Sequence, residues 1–171
     1  ITTAIDAQAD SEIVETGTWG TCPWELTADG TITVYPGEGG LHEEAPWYNA
    51  FGVSKLKFLE IGSQKVKAPE NCERLFFGNS SASLISLDLA GLDTSGLTDM
   101  SLMFLGLEKL ASLDLSSLDT SNVKSMVNMF YGCTSLASLD LSGLDTSNVT
   151  DMFQMFGGCI SLVSADLSGL D

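Results

Sequence analysis

Aspartate recurs at a fixed step in this sequence, and carboxylates repeated in that way can hold cations. Asp88, Asp114, Asp140 and Asp166 form one column, flanked by Ser86, Ser112, Ser138 and Ser164. Asp93, Asp119, Asp145 and Asp171 form a second. Calcium wants about six to eight oxygen ligands around one ion. A single column offers few per ion, and neither an EF-hand-like loop nor a nonapeptide calcium repeat is present, so calcium bridging is conceivable but no resident metal is expected. The second column precedes Thr and Ser, where an Asp side chain accepts backbone N–H bonds inside a turn. Thr94, Thr120 and Thr146 should form a hydroxyl ladder beside it.

The six methionines also fall in two columns, Met100, Met126, Met152 and Met103, Met129, Met155. Clustered thioethers suit copper, but Met equally fills irregular gaps in a core, and packing is the simpler reading. Cys22, Cys72, Cys133 and Cys159 show no CxxC spacing and give zinc little support. Cys133 and Cys159 share a column that Leu107 occupies one unit earlier, so both thiols should be free and buried. Cys22 and Cys72 could pair in an exported protein, although four cysteines allow three full pairings. His42, in GGLHEEAP with Glu43 and Glu44, could suggest an acid–base cluster, but the spacing is not HExxH and a solvated loop is expected. No spacing demands a nucleophile or a general acid, so the chain is read as a non-enzyme without a cofactor.

The elements that position these columns come from a repeat. Leu84, Leu110, Leu136 and Leu162 start equivalent units 26 residues apart, a step in the solenoid range. LDLAGLDTSGL (87–97), LDLSSLDTSNV (113–123) and LDLSGLDTSNV (139–149) are near copies. Within a unit the LxxLxL spacing predicts a short strand with Leu139 and Leu141 inward and Ser138 and Asp140 on the other face. After the DTS turn, Val149, Met152, Met155, Phe156 and Cys159 follow helical spacing. Ser147 or Asn148 would cap that helix, Asp151 would sit in its first turn, and Gly157 or Gly158 would end it.

A lone unit cannot bury its apolar face, so units must stack with parallel strands about 4.8 Å apart. The expected fold is an α/β solenoid, a right-handed leucine-rich-repeat coil with parallel strands on the concave face and short helices on the convex face. Residues 1–16 read as a flexible acidic leader and 17–55 as a β-rich cap. The cap contains a hairpin turning at Asp29 and Gly30, and it shields the first unit. Residues 56–171 are the array: a divergent first unit (56–83), full repeats 84–109, 110–135 and 136–161, and a partial repeat 162–171, which reads as a fragment of a longer array.

Of 171 residues, 44% are apolar and 18% charged, ordinary for an ordered soluble domain. The formal charge of −16, with only seven Lys and Arg, argues against nucleic acid. Lys55, Lys57, Lys65, Lys67 and Arg74 cluster before the repeats, so the array itself is strongly acidic and favours cationic partners. No apolar run is long enough to span a bilayer, and no signal peptide begins the chain.

The units LASLDLSGLDTSNVTDMFQMFGGCIS and LASLDLSSLDTSNVKSMVNMFYGCTS resemble the repeats of BspA-like leucine-rich-repeat bacterial surface proteins, as does the lead-in KVKAPENCERLFFG. Gly96 and Leu107 depart from the pattern, where later units have Asn and Cys. The resemblance implies an extracellular or cell-surface adhesion array that binds a host, matrix or neighbouring-cell protein. On that reading, Ser86, Asp88, Ser112, Asp114, Ser138, Asp140, Ser164 and Asp166 form the contact face. A spacer stalk is the structural alternative, and glycan stacking on Trp19, Trp24 and Trp47 is a third reading.

Overall fold

Leucines two residues apart in an extended segment point to one side, and this alternation builds the strands in the computed structural model, which describes residues 12–47, 58–61, 65–77, 83–168 and 170. The chain first runs as an antiparallel meander: β1 (Ile13–Trp19), β2 (Cys22–Thr27) and β3 (Thr31–Val34). Gly20, at φ 60°, takes the left-handed turn between β1 and β2. Asp29 closes the next turn by accepting from the Thr31 N–H at 3.1 Å and the Thr27 hydroxyl at 2.7 Å. The first residues of β1 fall inside the segment read as an unpatterned leader, while residues 1–11 lie outside the described set.

From β3 onward the chain coils as a β-solenoid of about four turns. Three ladders run along it. β3 pairs in parallel with β5 (Phe58–Ile61), and β5 with β7 (Ser86–Asp88). Two further parallel strands on that wall are β9 (Ser138–Asp140) and β10 (Ser164–Asp166). A second wall stacks β4 (Gly37–Glu38), β6 (Val66–Lys67) and β8 (Leu92–Asp93), also in parallel. The third is joined by parallel bridges from Asn71 to Asp99, Ser125 and Asp151.

That third wall corrects the expected helices: no α-helix occurs among the described residues. The helical spacing of Val149, Met152, Met155 and Phe156 is met instead by consecutive turns. Met103 N–H donates to Met100 O and Leu105 N–H to Leu102 O, three residues back. Between these, Met100, Leu102, Phe104 and Gly106 donate across to Ser125, Val127, Met129 and Tyr131 of the next coil at 2.8–3.0 Å. A helix would keep those N–H groups for itself. Such a short apolar segment gains little from nucleating a helix, and the neighbouring coil offers its carbonyls directly. The geometry places two left-handed residues on this wall of each repeat coil: Leu102, Asn128 and Gln154 at φ 51–60°, and four residues on Gly106, Gly132 and Gly158 at φ 73–76°; Arg74 takes the first of these positions in its own coil at φ 59°. The expected caps are redeployed: Ser147 donates to Asp145, and the Asn148 amide to the Ser121 carbonyl.

Inside the coils, identical residues stack. Phe76, Phe104, Phe130 and Phe156 form a column of rings 5.4–5.7 Å apart and within 7° of parallel. Trp47 stacks on Phe76 at 5.7 Å, and Trp19 meets Trp47 edge-on at 5.0 Å. Both tryptophans are buried, their indole N–H groups held by Leu41 O and Leu75 O. Gly39 makes room for this: a Cβ there would lie 2.5 Å from the Trp19 ring. The methionine columns are core, with Met100, Met103, Met126 and Met129 fully buried.

Candidate binding face

The Ser and Asp positions of the LDL motif lie on the outward side of the first wall. Ser86, Asp88, Ser112, Asp114, Ser138, Asp140, Ser164 and Asp166 are all exposed, while Leu87, Leu113 and Leu139 between them are buried. Register places Asp140 beside Asp166 and Asp88 beside Glu60, which is exposed too. Glu60 in turn pairs with Thr33, and Thr33 with Glu25. The acidic row therefore continues beyond the repeats, a feature that single-sequence reading missed because only strand register aligns Glu60 with the aspartates. Ser112–Asp114 departs from expectation in lying outside any named strand; its coil joins the next here through Ala137 N–H to Ala111 O at 3.2 Å.

The carboxylates also bond within their own turns. Asp88, Asp114, Asp140 and Asp166 accept the N–H two residues on, from Ala90, Ser116, Ser142 and Ser168, at 2.9–3.0 Å. Asp93, Asp119 and Asp145 accept the N–H and hydroxyl of Ser95, Ser121 and Ser147 in the same way. A third set occupies the bridge wall, with Asn71, Asp99 and Asp151 accepting from Glu73, Ser101 and Phe153. Each coil thus turns at three corners, and an Asx side chain closes nearly all of them. The two Asp columns do the same backbone work. The shared D-x-S spacing, as in Asp140-Leu141-Ser142 and Asp145-Thr146-Ser147, was the available signal.

At five of these aspartates the bonds favour the ionised carboxylate. The Ser116 side chain, then its N–H, holds Asp114 below the ordinary range, and Ser168 does so for Asp166. Ser95, Ser121 and Ser147 lower Asp93, Asp119 and Asp145 likewise; Lys65 and Lys67 add to the effect at Asp93, while neighbouring aspartates oppose it at Asp119. Behind the second column, Thr94, Thr120 and Thr146 are buried. Thr120 Oγ1 accepts from Asp145 N–H at 2.8 Å and donates to Asp145 O at 2.9 Å, and Thr94 accepts from Asp119 N–H.

On the acidic face, a hollow of about 150 Å³ opens between two coils. Leu113, Leu115 and Leu144 form its floor, and Asp114, Asp140, Ser116 and Ser142 its rim. Apolar floor with acidic rim matches an amphipathic cationic side chain, whose methylene stem and charged head want different surroundings.

The other candidates are accounted for elsewhere. Cys22 and Cys72 are buried free thiols, not the disulfide that export would allow. Cys72 donates to Pro69 O, and burial pushes its pKa up to about 12. Cys133, buried and likewise raised to about 12, donates to Phe104 O; Cys159, only half-buried, donates to Phe130 O. Trp19 and Trp47 present no open ring, and Trp24 is half-buried. His42–Glu44 is a single 3₁₀ turn. Among the described residues, no three His, Cys, Asp or Glu side chains converge on a metal position, and no helix is long and apolar enough to cross a membrane.

A family model described as a Mycoplasma protein of unknown function, DUF285, matches residues 60–170. No curated protein and no solved structure matches the chain.

Proposed function

Because the chain belongs to the DUF285 family, whose description carries no activity, we propose from its surface that it is a non-enzymatic recognition module for a cationic protein partner. The observation that carries this reading is the hollow between Asp114 and Asp140. A Lys or Arg side chain of the partner lays its stem on Leu113, Leu115 and Leu144 and its head between the two carboxylates. Glu60, Asp88 and Asp166 extend the negative field along the same face, speeding encounter and making it salt-dependent. The BspA-like resemblance supports placing this module at a bacterial cell surface or outside the cell, where it meets a host, matrix or neighbouring-cell protein.

A spacer stalk is the second reading, and a specific observation favours it. The face carboxylates close turns just as the second column does, so the coil alone requires them. Asp→Asn separates the two roles because Asn keeps the Oδ1 acceptor and loses the charge. The double variant Asp114→Asn/Asp140→Asn should melt near the parent, yet lose at least tenfold in affinity for a lysine-rich protein surface. Binding unchanged by the double variant, or insensitive to salt, refutes the recognition role and leaves the stalk.

A further inference from the structure

Two of the four cysteines hold equivalent places in successive complete coils. Cys133 and Cys159 stand 26 residues apart, in the column that Leu107 occupies one unit earlier. Each thiol donates to a carbonyl of the coil before it, Cys133 to Phe104 O and Cys159 to Phe130 O, both at 3.1 Å. The Phe130 carbonyl also accepts the Cys133 N–H at 3.1 Å, so the Cys159 sulfur and the Cys133 backbone meet on one oxygen. The two coils are in close register here. Gly132 N–H reaches Gly157 O at 2.8 Å, the rings of Phe130 and Phe156 lie 5.7 Å apart, and a Cβ on Gly158 would sit 3.5 Å from Gly132 Cα. Equivalent residues of adjacent parallel segments are about 4.8 Å apart, inside the Cα separation of about 4.4–6.8 Å that a disulfide spans. Cys22 and Cys72 lie outside this column. Cys22 faces Trp19 across the β1–β2 ladder, while Cys72, beside the bridge from Asn71 to Asp99, is level with Met100 and turns its thiol to Pro69 O.

We propose that Cys133 and Cys159 form a modification site, at which a disulfide oxidant such as oxidised glutathione links them into a clip between coils. One cysteine thiolate attacks a sulfur of the oxidant and expels the first glutathione thiolate. The other cysteine then attacks the protein sulfur of that mixed disulfide and expels the second. Two protein thiols are oxidised, the oxidant is reduced to two glutathiones, and these take up the two cysteine protons. For the bond to close, the Cys133 side chain leaves Phe104 O and rotates about χ1 toward the next coil. The site responds slowly, because burial raises the pKa of both thiols, to about 12 at Cys133, and leaves little thiolate at neutral pH. At Cys159 the Cys133 N–H works against that rise. A bond across 26 residues restricts the unfolded chain, which makes the oxidised molecule the more stable form. The inference stands on the thiol column, independently of the carboxylate face.

The full chain, held under native conditions near pH 8 with oxidised glutathione for hours to days, is then unfolded in an alkylating reagent, cleaved at the aspartates between the two cysteines and mapped by mass. The expected product is one linked pair of peptides carrying Cys133 and Cys159, two hydrogens lighter than the two free peptides together, with Cys22 and Cys72 alkylated. Its melting temperature should stand about 5–10 °C above that of the reduced chain and return on reduction. Cys159→Ser, whose hydroxyl still reaches Phe130 O, should remove both the link and the shift while the reduced variant melts near the parent. The proposal is overturned if no link forms, if it forms only once denaturant has opened the coils, if either residue pairs with Cys22 or Cys72 instead, or if the linked form melts no higher than the reduced one.

Discussion

The two ends of the aromatic column differ in a way that explains the fold. At the amino-terminal end, Phe76 is fully buried under Trp47, which is in turn covered by Trp19. At the carboxy-terminal end, Phe156 has Phe130 on one side and is only partly buried. Both rings belong to one repeat position. A solenoid coil buries its core only through its neighbours, so the same sequence is interior or surface according to what lies beyond it.

The strongest way to break this contrast is to empty it. Trp47→Ala should cost about 3–5 kcal/mol through the cavity left over Phe76, whereas Phe156→Ala, at a ring that is only partly buried, should cost about half as much. Thermal melts of both variants check this, and equal losses would mean that the amino-terminal strands do not cover the column. Next comes the seam between interior coils. Thr120→Val keeps the shape but strips a buried hydroxyl from Asp145 N–H and O, and should cost about 1–3 kcal/mol. Thr98→Val, on an exposed carbonyl ladder, should be nearly silent in the same denaturation series because water replaces the bond.

Acid should loosen every coil together. Asp93, Asp114, Asp119, Asp145 and Asp166 have lowered folded-state pKa values. Their contribution is complete above the unfolded value of 3.8 and fades as pH falls through the folded values. Melting temperature should hold from pH 7 to about 5 and drop below about 4. Ser121→Ala with Ser147→Ala should shallow that drop, and an unchanged profile would remove these bonds from the acid response. The smallest effect is a difference in rate. Native-state alkylation near pH 8 should label half-buried Cys159 before Cys133, which the next coil covers, and simultaneous labelling would contradict the difference between the two ends.

Much of this was legible in the residues. Leu87, Leu113 and Leu139 faced inward as the alternation required, the methionine columns became core, and the threonine ladder formed behind the second aspartate column. The missed features share a cause. Periodicity of Met152, Met155 and Phe156 reports which side chains face the core, not which backbone partner each N–H takes, so turns bonded to the next coil looked like a helix. Treating the aspartate columns as different overlooked their common D-x-S spacing. Glu60 joined the acidic face only through strand pairing across divergent sequence.

The sequence by itself determined the repeat, its inward columns and the carboxylates at its corners, because each unit must offer the next the same apolar surface. Only the tertiary structure decided how the backbone closes between those columns. N–H and C=O groups are alike in every residue, so their pairing depends on which neighbour lies within reach, and here the adjacent coil takes the N–H groups of Met100, Leu102 and Phe104.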